Sequence, residues 1–260
     1  MLFRSRSLGL ALFAQVKEQK REAKAPILEA FRHSTPEILL SAGSRFVEQA
    51  PFYLFATFAI TYGGTKALHL DKNLLLNTIA IAAVLEMFTI LLFGYLSDRF
   101  GRRLWYLIGC VLMLAFAFPY FLMFNSGSTA LVVLAIILSL AVFHAWVYGP
   151  QAAMIAERFK TSSRYSGASL GYQLAAPLAG GLAPIIALLL LNGKTNLGAL
   201  GLTNVVVNIG GGSWTSVAVY IMILAVISFA SVLGLKDLTN TDISEAEADE
   251  VKVGEAALAD

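Results

Sequence analysis

The chain has 260 residues, 57% of them hydrophobic and 14% charged, with a mean hydropathy of +0.71 and a formal charge of +2. A soluble domain carries nearer ~25% charged residues, and here the apolar excess comes as separate long runs, the pattern of a membrane protein. The single cysteine, Cys110, lies in an apolar run, which excludes a disulfide framework and a cysteine metal site. Basic residues at the ends of apolar runs, rather than on a polar face, give no nucleic-acid footprint.

In chain order, Arg4 and Arg6 ahead of the apolar residues 8–14 imitate a signal peptide, but the apolar core is short and Leu12 spoils the cleavage site. Residues 16–24 form a polar, helix-favouring segment, and Pro26 suits the first turn of a short helix over 27–32. Ser34, Thr35, Pro36 and Glu37 read as a helix start, with a hydroxyl cap, an early proline and an acid near the positive helix end. Spans are predicted at 38–62, 74–93, 104–124, 129–155, 165–191 and 214–235, close to the ~20 residues that cross a bilayer core. The second and third flank a charged turn at 94–103, residues 125–128 form a tight turn, and residues 192–213 form the longest loop, rich in Gly and Asn. Three regions follow: a cytoplasmic segment over 1–37, a six-helix domain over 38–235, and an acidic tail over 236–260 expected to be disordered.

Six spans put both ends on one side of the membrane. The segments on that side hold fifteen lysines and arginines, whereas the opposite loops hold only Lys66, Lys72 and Lys194. That asymmetry predicts cytoplasmic termini.

The turn between the second and third spans reads Gly94-Tyr95-Leu96-Ser97-Asp98-Arg99-Phe100-Gly101-Arg102-Arg103. It resembles the loop signature of the major facilitator superfamily, G-x-L-S/A-D-R-x-G-R-R/K, with every position filled. The resemblance implies that Asp98, Arg99, Arg102 and Arg103, with Gly94 and Gly101, form a gating loop that latches onto helix ends and does not touch substrate. A positive-inside anchor without a switching role is the plainer reading. Tyr148-Gly149-Pro150-Gln151-Ala152-Ala153, and Arg164 through Gln173, narrow the resemblance to the metabolite:proton symporters, which include shikimate, α-ketoglutarate, proline/betaine and citrate permeases. Arg45, Pro51, Phe52 and Tyr53 of the first span fit the same family.

The resemblance covers about residues 13–235 and matches only the carboxy-terminal six of twelve helices. It therefore implies an all-α integral membrane fold equivalent to helices 7–12, in a bacterial inner membrane. The implied function is half of a proton-coupled symporter for small organic acids or zwitterions, incomplete without an amino-terminal half or a second copy. A non-transporting membrane subunit is the alternative. No enzyme activity, cofactor or metal is expected.

Charges inside spans are costly and therefore mark candidate sites. Glu86 sits in mid-span with Thr78, Ala82 and Thr89 on its face, as a proton carrier or as a structural hydrogen-bonded carboxyl. Arg45 and Glu48, three apart, pair with each other, or Arg45 attracts a substrate carboxylate. His144, Tyr148 and Gln151 form one polar stripe, in which His144 is either a packing residue or a proton relay. Tyr53, Tyr172 and Gln173 complete the substrate candidates. Ser163, Gly167, Gly171, Ala175 and Ala179 form a small-residue seam for close helix packing, and Pro177 and Pro184 loosen the same helix.

Overall fold

The computed structural model describes residues 34–65, 69–159, 164–196, 206–208 and 212–235. The readings of residues 1–33 and 236–260 lie outside them. Six helical spans follow in order: α1 (residues 35–63), α2 (Lys72–Phe100), α3 (Arg102–Phe124), α4 (Thr129–Ala156), α5 (Arg164–Asn192) and α6 (Trp214–Gly234). The last five are each long and apolar enough to cross a membrane. Between α5 and α6, Lys194–Asn196 (β1) and Val206–Asn208 (β2) pair antiparallel, a detail the Gly- and Asn-rich composition of that loop conceals.

The charged segment after the second span departs from expectation. It is helical almost throughout, because nothing in residues 95–100 breaks a helix. Only Gly101 turns, at φ 94°, a region that side chains disfavour. Asp98, Arg102 and Arg103 thus project from two helix ends joined at one residue.

Three spans depart from α-helical winding, and each carries a proline. In α1 a π-helical turn, Leu54–Phe58, follows Pro51. In α4, Leu138–His144 is π-helical ahead of Pro150, and in α5 the π segment Ala176–Gly181 contains Pro177. A proline offers no N–H to the ladder, and a π turn is one way to absorb the mismatch.

The strongest packing pairs α3 with α6 and α4, α2 with α4, and α1 with both α5 and α6. Glycines set the closest approaches. A Cβ on Gly149 would meet the Ile90 carbonyl oxygen at 2.8 Å and the Gly94 nitrogen at 2.9 Å, so α2 and α4 touch backbone to backbone. A Cβ on Gly171 would meet Ser41 Cβ at 2.9 Å, which draws α5 onto α1. Gly167 is filled above by the Phe159 ring. The core between α1 and α3 is aromatic, with Phe55, Phe58, Tyr120, Phe121 and Phe124 buried. By contrast, α2 leaves Met87, Phe88 and Leu91 exposed, as suits a face turned to lipid.

Candidate functional site

The site begins with a broken helix. In an unbroken α1 the Val47 N–H would bond the Gly43 carbonyl. Instead the Ser228 hydroxyl of α6 stands between them, accepting from Val47 N (2.8 Å) and donating to Gly43 O (2.9 Å). The next carbonyl, Ser44 O, accepts from the Tyr106 hydroxyl of α3 at 2.9 Å. Two side chains inserted into one ladder are a sufficient cause of a kink. The irregular residue at that kink is Arg45, and its helical turn also bears Glu48 and Gln49.

Arg45 is held from four directions. Its Nε donates to Gln151 Oε1 (3.3 Å), Nη1 to the Tyr172 carbonyl (2.7 Å), and Nη2 to Glu48 Oε2 (3.0 Å) and to Gln49 Oε1. The guanidinium also lies over the Tyr172 ring, with Cζ 4.0 Å from its centroid. Gln151 is fixed in turn, because its Nε2 donates to Tyr106 Oη at 2.9 Å. Tyr106 therefore braces both the kink and the amide that holds Arg45.

The other oxygen of Glu48 faces His144. Nε2 of the imidazole stands 3.6 Å from Glu48 Oε1, an ion-pair distance, and Nδ1 bonds Glu86 Oε1. The ring is clamped between Phe52 (centroids 5.0 Å apart) and a stacked Tyr148 (5.3 Å). The four groups Arg45–Glu48–His144–Glu86 make a continuous chain of alternating charge across α1, α4 and α2. Arg45, Glu48, Glu86 and His144 are 6, 4, 7 and 3% exposed, so none of them is a surface pair. With the imidazole protonated the chain sums to zero, the condition under which so many charges survive burial. Only imidazolium can donate toward both flanking carboxylates.

The remaining candidates divide. Gln151 and Tyr172 join the chain directly, while Tyr148 covers it and is 41% exposed. Tyr53 stacks edge-on with Phe52 and borders Gly180 with Gln49, and Gln173 is exposed on α5. Gln49, Tyr106 and Ser228 escaped the sequence reading as site residues. Their only signal there is a polar atom inside an otherwise apolar run.

The charged helix junction is a second, separate cluster. Arg102 bridges Asp98 (Nη2 to Oδ1, 2.7 Å) and Glu157 at the end of α4. Arg103 donates to Val232 O (3.3 Å) and Leu233 O (2.7 Å), closing the last carbonyls of α6. Beside them Trp105 and Trp146 stack at 4.3 Å, with Trp146 Nε1 donating to Trp105 O. Glu157 lies outside the spans. Burial raises its carboxyl above the ordinary range, against the opposing pull of Arg102. No cluster of potential metal ligands occurs among the described residues.

Comparison with known proteins bears on the family. The family model described as "Sugar (and other) transporter" matches residues 12–233. The shikimate transporter of Escherichia coli (strain K12) is 32% identical over 229 residues, covering 87% of this chain and 48% of the relative. The citrate-proton symporter of Klebsiella pneumoniae is 33% identical over 135 residues, 52% of this chain and 30% of the relative. The proline/betaine transporter of Escherichia coli (strain K12) is 27% identical over 209 residues, 80% of this chain and 38% of the relative. The chain spans about half the length, or less, of the curated relatives it matches. No solved structure matches.

Proposed function

Since the chain belongs to the sugar (and other) transporter family, among the metabolite:proton symporters of the major facilitator superfamily, we propose that it forms one six-helix half of a proton-coupled carrier. Its cargo is a small organic acid or zwitterion, and it works by alternating access with its termini in the cytoplasm. The single observation that carries this reading is the buried chain Arg45–Glu48–His144–Glu86. It combines a cation able to hold a carboxylate with protonatable groups connected to it. Ion pairs kept only for stability are poorly explained at this depth, since apolar packing serves a bilayer span at least as well.

The relatives' substrates support the chemical class. The shikimate transporter and the citrate-proton symporter are named for carboxylates, and the proline/betaine transporter for zwitterions that also carry one. Each offers Arg45 the same group. Around it, Gln49, Gln151 and Tyr172 supply the polar and aromatic surface that selects among them. The complete cavity then lies between this half and either an amino-terminal half or a second copy. The cluster of Asp98, Arg102, Arg103 and Glu157 acts as the latch between conformations, remote from substrate.

The test is uptake of labelled shikimate, citrate and proline into proteoliposomes under an inward proton gradient. The full chain is assayed alone and co-reconstituted with a six-span amino-terminal half. Accumulation that collapses with a protonophore supports the reading. Folded protein that accumulates none of them in either arrangement replaces it with a non-transporting membrane subunit.

A further inference from the structure

Every nitrogen of the Arg45 guanidinium is engaged by the protein. Of its five N–H groups, four are donated, and the only charged acceptor among their partners is Glu48. A substrate carboxylate has no bidentate seat on Arg45 while Glu48 holds it. Glu48 is itself two-sided, with Oε2 on Arg45 and Oε1 toward His144. From these two facts we infer that Glu48 is the proton-accepting residue of the cycle and an internal stand-in for the substrate's carboxylate: a proton passed to Glu48 releases Arg45 to the incoming ligand.

The step needs no reactant beyond the one proton carried with the substrate. Glu86 and His144 are the proton's route, since Glu86 Oε1 bonds Nδ1 and Glu48 lies beyond Nε2. The imidazolium loses its Nε2 proton to Glu48 Oε1, the carboxylate becomes a neutral carboxyl whose ion pair with Arg45 is gone, and a proton taken up from the aqueous side by way of Glu86 recharges the imidazole. The substrate carboxylate then takes the vacated Nη2 side, so the site gains one proton for each negative group it accepts and its net charge is unchanged. That conservation is what makes the exchange affordable in a buried place. When the substrate leaves, Arg45 again lacks an anion, and Glu48 recovers its pairing by giving up the proton.

The groups facing Glu48 from its neighbours limit the alternatives. Helix α1 supplies Arg45, α3 supplies Tyr106, α4 supplies His144 and α5 supplies Tyr172, while Glu86 of α2 and Tyr148 of α4 lie against the imidazole. From α6 the Ser228 hydroxyl reaches this turn of α1, and it is committed to the α1 backbone. Tyr106 and Tyr172 are neutral donors near neutral pH, so His144 is the group placed to hand over a proton. The assignment shifts the expected role of proton carrier from Glu86, which becomes the outer member of the relay.

This inference rests on the symport reading but is tested without substrate. The full chain, labelled with nitrogen-15 at arginine and placed in lipid nanodiscs, is titrated between about pH 5 and 8, and the Arg45 side-chain resonances are followed. Arg45→Lys assigns the signal. In the wild type those resonances shift on acidification as Glu48 lets go. Glu48→Gln starts at the acid position and does not move, and Glu48→Asp, which keeps a carboxylate, retains the movement and shows that the site still folds. Wild-type resonances that stay fixed across the range, or a shift that survives in Glu48→Gln, overturn the inference. A shift that obeys these rules in a chain that accumulates no substrate leaves the switch standing and removes the symport reading instead.

Discussion

Arg45 shows why single residues in this half cannot be judged alone. Removing it leaves the Glu48 carboxylate buried beside a neutral amide, and stranding one member of a buried pair costs about 3–5 kcal/mol. Arg45→Gln is therefore expected to lower the detergent unfolding temperature markedly. The double change Arg45→Gln with Glu48→Gln, which removes both charges, recovers most of the loss. A double variant as unstable as the single one would mean that the pair does not act as a unit. At this scale the sequence gives one contact and hides the rest. Arg45 and Glu48 are three apart on a helix, so their pairing can be read from spacing. Glu86 and His144 are 58 positions apart, and the packing of α2 along α4, closest at Gly94 and Gly149, joins them. Likewise Tyr106 reads as one more aromatic until α3 sets its hydroxyl against both Ser44 O and Gln151.

Among the elements, spans are the legible part, because twenty apolar residues in a row admit little else. Their ends are less so. The charged segment 94–103 looks like a loop by composition, yet α2 runs to Phe100, since a helix tolerates charge wherever it leaves the hydrocarbon. The kink in α1 is invisible as well, because half its cause, Ser228, lies 181 residues away on α6. Two predictions belong here. Gly149→Val forces a side chain into the 2.8 Å approach of Ile90 O, so about 1–3 kcal/mol of overpacking cost is expected, with α2 displaced from α4. Unfolding of that variant, compared with Gly127→Val in an open turn, measures it; Gly127 has φ 73°, so its own backbone strain sets the baseline. The second concerns Glu157. Its carboxyl is raised in the folded protein, so the stability it contributes is present at low pH and is lost as pH rises from the ordinary carboxylate value through the raised one. Glu157→Gln, which resembles the protonated form, should flatten that slope in thermal unfolding across a pH series; an unchanged slope would assign the dependence to another group.

For the molecule as a whole, two faces of the same design meet. Polar chemistry is gathered inside, along α1, α4, α2 and α5, while Met87, Phe88 and Leu91 of α2 remain uncovered. The family membership and the membrane fold were legible in the sequence through the junction at 94–103 and the motifs of α4 and α5. The assembly of a charge chain from three helices was not, because no periodicity relates residues on different helices. Its coupling role is tested most directly by comparing substrate exchange at equal pH with uphill accumulation under a proton gradient, in Glu86→Gln and wild type, using co-reconstituted protein. Glu86→Gln is expected to keep exchange and lose accumulation, because the substrate seat survives while the proton's route is cut. Accumulation at the wild-type level in Glu86→Gln would contradict the coupling role.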